Sequence, residues 1–317
     1  MMVTNEYTGL FEQLENNISR AIVGKNTEIK LLITALLSGG HVLLEGVPGT
    51  GKTMLIKALA KSIESTYRRI QCNPDLLPTD ITGFTIYHPK NEEFVFRPGP
   101  VLTNFLLVDE INRASTKTQS ALLEAMEEKQ VTVDGEIHQI SEPFFVLATQ
   151  NPIEFEGTYL LPEAQLDRFM MKFHMDYPSK GEEEDLLINQ IKDPLEDVEI
   201  ITDVKTLIKI QQEVKEVFVS KSIVNYIINL ANRTRNHEHI FLGVSPRGTL
   251  ALMNGIKSLA FYEGRNFVTP DDVKFILPYV FNHRIILHPE SQISGETVES
   301  ICQMIIDDTK APVRMEK

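Results

Sequence analysis

Uninterrupted apolar runs recur along the first part of the chain, and stretches with a helical period separate them. The runs cover residues 41–45, 105–108 and 144–148, and their continuity is typical of parallel strands that are buried on both faces. Further strands are predicted at 67–71 and 170–175. Between the runs, apolar residues return every three or four positions, as on one face of a helix. Strands that alternate with helices predict an α/β domain with a parallel sheet.

Two stretches of this region have the pattern of β-hairpins. The first covers about 83–97, and its alternating apolar residues include Phe94 and Phe96. The second covers about 131–140 and turns at an Asp-Gly pair, a strong short-range hairpin signal. Both hairpins interrupt the α/β pattern. They either stabilise the domain or engage a partner or client, and the sequence leaves both roles open.

The alternation of strands and helices stops near Pro178. Helical patterns dominate from Glu182 onward, including one helix that follows Ser245-Pro246-Arg247 and another that starts at Thr269-Pro270. The sequence therefore predicts two domains. Residues 1–178 form the α/β domain with its two inserted hairpins, and residues 179–317 form a helical domain.

Composition excludes several classes of protein. The 317 residues carry a formal net charge of −13 without a dense Lys/Arg run, which argues against tight binding to nucleic acid or anionic membranes. Cys72 and Cys302 are too few for a disulfide framework or a zinc cluster. No signal peptide is visible and no apolar run has the length of a membrane span. We therefore expect a cytoplasmic protein.

The strongest chemical motif follows the first apolar run and precedes a predicted helix. It consists of Gly46, Val47, Pro48, Gly49, Thr50, Gly51, Lys52 and Thr53. A strand, a Gly-rich loop and a helix in this order predict a phosphate-binding loop, because glycines let backbone N–H groups approach a polyphosphate closely. Lys52 would reach the β- and γ-phosphates of a nucleotide, and the Thr53 hydroxyl would ligate Mg²⁺.

A pair of acidic residues ends the buried run at 105–108. Asp109 would orient Mg²⁺ through its hydration shell, and Glu110 would polarise the attacking water as a general base. A strand end with two solvated acids is the simpler alternative. The phosphate loop upstream favours the catalytic role.

Three more residues are candidates for the same chemistry. Asn151 follows the next apolar strand and either positions the water or serves as a turn residue before Pro152. Arg168 is either an arginine finger or the partner of Asp167 in a surface ion pair. Arg247 lies at a helix start, where the dipole disfavours a cation, so it suggests an anionic partner such as a γ-phosphate.

A metal site at His237-Glu238-His239 is also conceivable from the sequence. No other ligand cluster lies nearby in the chain, and a solvated loop between helices is the favoured interpretation.

Together these motifs resemble the MoxR subfamily of AAA+ ATPases. The resemblance is carried by residues 46–53, 74–83, 96–100, 109–114, 119–135, 148–152, 161–169 and 245–247. The family implies a five-stranded parallel sheet between helices, followed by an all-helical lid. It also implies nucleotide-dependent rings, usually hexamers, that bind ATP and Mg²⁺.

The resemblance also implies roles for single residues. Asn151 corresponds to the first sensor and Arg247 to the second, and Arg168 corresponds to a finger that completes a neighbouring subunit's site. Gln71 stands where many AAA+ proteins place a polar residue that restrains the catalytic glutamate. Gly24-Lys25 replaces the common Gly-Gln, a departure that does not touch the phosphates.

The family implies an ATP-driven chaperone that remodels or matures protein complexes with a von Willebrand factor A-domain partner. One alternative is the motor subunit of a magnesium-chelatase-like complex, a close relative. Another is a scaffold held together by nucleotide, with little turnover. The acidic charge disfavours a nucleic-acid motor.

Overall fold

The first part of the chain alternates strands and helices as the apolar runs predict. The computed structural model of the protein describes residues 6–47, 49–151, 158–188 and 194–312. Its elements up to residue 174 are α1 (Thr8–Ala21), α2 (Asn26–Leu37), β1 (Val42–Glu45), α3 (Lys52–Ser62), β2 (Tyr67–Gln71), α4 (Pro78–Thr82), β3 (Gly83–His88), β4 (Glu93–Pro98), β5 (Phe105–Asp109), α5 (Thr116–Glu128), β6 (Gln130–Val133), β7 (Glu136–Gln139), β8 (Phe145–Gln150), α6 (Glu163–Leu166) and β9 (Met171–His174).

Five of these strands form one sheet in the order β2-β5-β8-β1-β9. All four neighbouring pairs are parallel, which confirms the predicted sheet. Strands β1 and β5 are buried along their whole length. Because parallel strands end on the same side, β1, β2, β5 and β8 bring their last residues together. We call this side the carboxyl edge of the sheet and the opposite side the amino edge.

The sheet separates two apolar clusters, as expected where side chains alternate between faces. Val42 and Leu44 of β1 belong to one cluster and Leu43 to the other. The first cluster also contains α1, α2, α3 and most helices after residue 200, whereas the second contains α5. The C-terminal helices thus share a core with α1–α3. The domain boundary near Pro178 remains a prediction, based on the order of strands and helices along the chain.

The C-terminal part is mainly helical, as predicted. Its elements are α7 (Lys180–Ile188), α8 (Val204–Lys215), α9 (Lys221–Arg235), β10 (Ile240–Leu242), α10 (Pro246–Tyr262), α11 (Pro270–Phe281), β11 (Ile286–Leu287), α12 (Pro289–Ile293) and α13 (Val298–Asp308). The sequence did not predict the small antiparallel sheet that β10 and β11 form among these helices. Two or three residues are too few for an alternating pattern that would announce a strand.

Both predicted hairpins are present, as the pairs β3–β4 and β6–β7. They contact each other: the rings of Phe96 and His138 stack with centroids 3.8 Å apart. Phe94 is 76% exposed, so Phe96 joins the hairpins whereas Phe94 faces solvent. Of the helices within the described ranges, none combines the length and apolarity needed to cross a membrane.

Candidate active site

The phosphate loop lies at the carboxyl edge, between the end of β1 and the start of α3. Gly49 and Gly51 have φ of 85° and 91°, a region that L residues with side chains rarely adopt. A Cβ on Gly46 would lie 2.4 Å from the carbonyl oxygen of Met175, so only glycine fits there. The backbone therefore forms the open cradle that a phosphate group needs at a helix N-terminus. Pro48 lies outside the described residues.

Lys52 is the first residue of α3, and its ammonium group folds back over the loop. Its Nζ donates a hydrogen bond to the Gly46 carbonyl at 2.5 Å. Burial lowers the pKa of Lys52, and the negative charges of Asp109 and Glu110 oppose that shift. The lysine therefore stands between the loop and the acidic pair, where a cation can bind phosphate oxygens.

The acidic pair is fixed by one hydroxyl on the neighbouring strand β8. Thr149 Oγ1 donates to Asp109 Oδ1 at 3.2 Å and accepts from the backbone N–H of Glu110 at 2.9 Å. Glu110 has a left-handed backbone with φ of 56°. The turn directs its carboxylate out of the strand. Thr149 has no signal in a single sequence, because its role depends on the pairing of β5 with β8.

Two polar side chains on neighbouring segments contact the Glu110 carboxylate. Gln71 Nε2 donates to its Oε2 at 2.8 Å, in keeping with the restraining position implied by the family. Arg113 Nε lies 3.3 Å from the same oxygen. On β2, Arg69 bonds to Asp109. Sequence reasoning missed Arg69 and Arg113.

A cleft of roughly 400 Å³ joins these groups. Its lining residues are Gly49, Gly51, Lys52, Thr53, Met54, Arg69, Gln71, Asp109, Glu110, Thr149 and Asn151. Lys52, Thr53, Asp109, Glu110 and Asn151 thus lie together as predicted. The cradle, a hydroxyl, a carboxylate and a lysine fit a nucleotide polyphosphate with Mg²⁺, since hard oxygen ligands suit that ion.

Arg168 and Arg247 do not line this cleft. Both bind the carboxylate of Glu127, near the end of α5: Arg168 Nε lies 2.9 Å from Oε2, and the Arg247 guanidinium contacts Oε1. We call these three residues the Glu127 cluster. The anionic partner expected for Arg247 is thus a side chain of the same subunit in this structure.

The Glu127 cluster lies at the amino edge. The ring of His41, which precedes β1, contacts the carbonyl of Met126 at 3.3 Å, and Arg168 precedes β9 in the chain. One strand of this length separates the edges by about 13 Å at about 3.3 Å per residue. Neither arginine is therefore placed at its own phosphate loop.

Asp167 contacts residues of the C-terminal part and not Arg168, so the ion pair with Asp167, one of the two interpretations of Arg168, is wrong. Arg284 Nε donates to Asp167 Oδ1 at 2.6 Å, and the Ser245 hydroxyl donates to Asp167 Oδ2 at 3.2 Å. The Arg284 side chain is almost fully buried, which makes an ionic partner necessary. These bonds hold the segment of Arg168 against the helix start of Arg247.

In the His237–His239 segment, a histidine ring contacts a hydroxyl group of the C-terminal part. His239 Nδ1 lies 3.1 Å from the Ser291 hydroxyl. Within the described ranges, no three His, Cys, Asp or Glu side chains are grouped as a metal site.

Comparison with known proteins matches two family models to the chain. Residues 41–171 match the ATPase family associated with various cellular activities (AAA), and residues 232–305 match the AAA lid domain. YeaC of Bacillus subtilis is 51% identical, with 94% of this chain and 93% of YeaC aligned. Chaperone MoxR1 of Mycobacterium tuberculosis is 40% identical, with 93% and 80% aligned. A crystal structure from Cytophaga hutchinsonii superposes with a TM-score of 0.90, at 38% identity and 96% coverage of both chains.

Proposed function

The chain belongs to the MoxR family of AAA+ ATPases and hydrolyses ATP, and we propose that it does so in a ring whose sites are each shared by two subunits. AAA+ proteins typically form oligomeric rings, and we propose a hexamer. The observation that carries the proposal is the separation of Arg168 and Arg247 from their own phosphate loop. In a head-to-tail ring, one surface of each subunit meets a different surface of the next, and the proposal places the amino edge of one subunit against the carboxyl edge of its neighbour.

Within one subunit, the residues of the cleft bind and orient the reactants. The loop N–H groups and Lys52 would hold the phosphates, and Thr53 together with Asp109, through water, would hold Mg²⁺. The bound ion supplies positive charge that offsets charge on the phosphates. Glu110 would accept a proton from the attacking water, which Asn151 would orient.

The neighbouring subunit would supply the remaining positive charge. Arg168 would act as the finger that stabilises the transition state, and Arg247 as the second sensor of the γ-phosphate. In this structure, both guanidinium groups form ion pairs with the Glu127 carboxylate of their own subunit. Side chains that are 29% and 46% exposed can leave such a pair at low cost, because exposed ion pairs contribute only about 0–1 kcal/mol.

We further propose that turnover remodels or matures partner protein complexes. The chaperone name of MoxR1 supports this role, and the resemblance to the family supports a von Willebrand factor A-domain partner. The hairpins offer a surface for it. A cleft of roughly 540 Å³ lies between them, lined by Thr85, Phe94, Phe96, Val133, Asp134 and Glu136. Turnover that rises with an A-domain partner would separate this role from a scaffold, and dependence on porphyrin would favour the chelatase-like alternative.

The shared site is tested by mixing two inactive variants. Lys52→Ala removes phosphate binding, and Arg168→Ala removes the finger but leaves its own cleft intact. In an equal mixture, roughly a quarter of the interfaces pair an intact cleft with an intact finger, so turnover should partly return.

The matched control mixes Lys52→Ala with Glu110→Gln. Both defects then lie in the cleft itself, so no interface is intact and turnover should stay absent. If the Arg168→Ala mixture forms rings, verified by size, and is equally inactive, the two-subunit site is wrong.

A further inference from the structure

Arg69 places a guanidinium group in the nucleotide cleft, beside the two carboxylates. It lies on β2 and shares a strand face with Gln71, two residues on. Its side chain is 48% exposed, whereas that of its partner Asp109 is 10% exposed. Solvent therefore reaches the Arg69 side chain from the cleft, and packing of the sheet does not by itself require an arginine at this position.

The planar fork of Arg69 binds two groups at once. Its Nε donates to Asp109 Oδ2 at 2.7 Å, and its Nη2 donates to Gln71 Oε1 at 3.0 Å. Gln71 uses its other end for Glu110, with Nε2 donating to Oε2 at 2.8 Å. One chain of hydrogen bonds thus runs from Asp109 through Arg69 and Gln71 to Glu110. Lysine would match this geometry poorly, because its three donors lie on one nitrogen, whereas the guanidinium presents separate N–H groups in one plane.

Both oxygens of Asp109 are engaged in this arrangement. Oδ1 accepts from Thr149 and Oδ2 accepts from Arg69. A carboxylate oxygen can accept more than one hydrogen bond, but the Arg69 guanidinium places a positive charge at Oδ2 and therefore competes there with the hydrated Mg²⁺ cation. When Arg69 moves, Gln71 loses the donor that orients its amide, and its hold on Glu110 weakens.

We propose that Arg69 is a positioning residue that couples occupancy of the metal side of the cleft to release of Glu110. In the resting subunit it holds Asp109 and, through Gln71, withdraws Glu110 from the attacking water. This inference rests on the proposed roles of Asp109 and Glu110. A surface ion pair that only stabilises the edge strand is the alternative, and it predicts no effect on Mg²⁺ affinity.

The first test measures how a fluorescent, non-hydrolysable ATP analogue binds as Mg²⁺ is titrated. Arg69→Met should lower the Mg²⁺ concentration at half-saturation by up to about fivefold, as expected for loss of a competing, partly exposed ion pair. Arg68→Met is the matched control. Arg68 is the adjacent residue on the same strand, with its side chain on the opposite face, and its variant should behave like wild type.

The second test separates the two arms of the fork by turnover without a partner. Arg69→Lys keeps a positive charge beside Asp109 but lacks the planar fork that orients Gln71, so it should keep the wild-type Mg²⁺ midpoint. Its turnover should rise by the same factor as that of Gln71→Leu, and the double variant should rise no further, because the two residues act through one chain.

A Mg²⁺ midpoint in Arg69→Met that is unchanged or higher than in wild type would overturn the inference, as would additive effects in the double variant. Asp109→Asn shows whether the underlying site assignment holds. If Asp109→Asn raises the Mg²⁺ midpoint and Arg69→Met does not lower it, only the role of Arg69 fails. If Asp109→Asn has no effect on Mg²⁺, the proposed metal site itself is wrong. Thermal unfolding without nucleotide verifies that each variant is folded.

Discussion

The two edges of the central sheet each join arginines to carboxylates, but they are built differently. At the carboxyl edge, Asp109 and Glu110 meet Arg69 and Arg113, and all four belong to β2, β5 or the turn that follows β5. At the amino edge, one carboxylate, Glu127, meets arginines from two distant segments. The contacts at the carboxyl edge form between segments of the central sheet alone. The contacts at the amino edge also require the C-terminal helices to pack against the sheet domain.

This difference indicates a division of labour within the subunit. The carboxyl edge contains a cradle and a cleft, so it can bind nucleotide by itself. The amino edge holds two guanidinium groups in ion pairs at the surface, where they can be offered to the cleft of another subunit. On the proposed function, a subunit of this design would bind its substrate alone and complete its chemistry only in an assembly.

The largest effects should arise at the carboxyl edge. Lys52→Ala should abolish nucleotide binding, because it removes the cation at the β/γ-phosphates. Glu110→Gln should keep binding but reduce hydrolysis by about 10²–10⁴, the usual contribution of a general base. Equilibrium binding and turnover assays measure both. Turnover of the Glu110→Gln variant at the wild-type rate would remove Glu110 from the catalytic role.

Replacement of Arg247 tests whether the amino edge acts on another subunit. Arg247→Ala should leave nucleotide affinity unchanged in dilute, dissociated subunits and lower hydrolysis by about tenfold to a hundredfold in the assembled protein, a smaller loss than the 10³–10⁵ known for fingers. Arg233→Ala is a suitable control, because Arg233 is a similarly exposed arginine of the C-terminal helices. Lower affinity in dissociated Arg247→Ala subunits would place Arg247 at its own cleft.

The hairpins offer a surface that belongs to neither edge group. Phe94→Ser and Glu136→Lys should keep folding, assembly and basal hydrolysis, since both side chains are exposed. Binding of a partner, or its stimulation of turnover, should fall about tenfold, the equivalent of about 1.4 kcal/mol. Ile293→Ser removes another exposed apolar side chain and should change nothing. Partner binding at the wild-type level in both hairpin variants would exclude this surface.

A separate effect, on stability and not on turnover, is predicted for the amino edge as the pH changes. Burial lowers the pKa of His41 to about 4 and that of His283 well below its ordinary value. His41 Nδ1 accepts from the Val146 N–H at 3.1 Å, so its other nitrogen carries the proton that faces Met126. A second proton would oppose the Val146 N–H.

Because both folded-state pKa values lie below the unfolded value of about 6.5, the unfolded chain takes up more protons than the folded chain as the pH falls through 6.5. The free energy of unfolding should therefore be unaffected well above pH 6.5 and decrease by up to about 2.5 kcal/mol between pH 7 and 5.5. Urea denaturation at both pH values measures it. Equal stability at both pH values would show that these histidines do not limit the fold.

The sequence determined the features that depend on local backbone geometry. The glycines of residues 46–51, the position of Lys52 at a helix start and the acids after a buried strand specify one binding edge. Each of these features can be recognised from the single strand, turn or helix that contains it. Parallel strands then fix which ends meet, so the grouping of Asn151 with Asp109 also follows from the sequence.

Only the tertiary structure decided which distant side chains share a partner. Nothing in the local sequence of Glu127 or Arg247 shows that they meet across 120 residues, and Thr149 and Arg69 acquire their roles from the register of β8 and β2 beside β5. The same holds for the Phe96–His138 stack and for the short strands β10 and β11. A single chain's pattern encodes the period and the breaks of its elements. Long-range contacts depend on how those elements pack, and the packing energy is distributed over many residues of both partners.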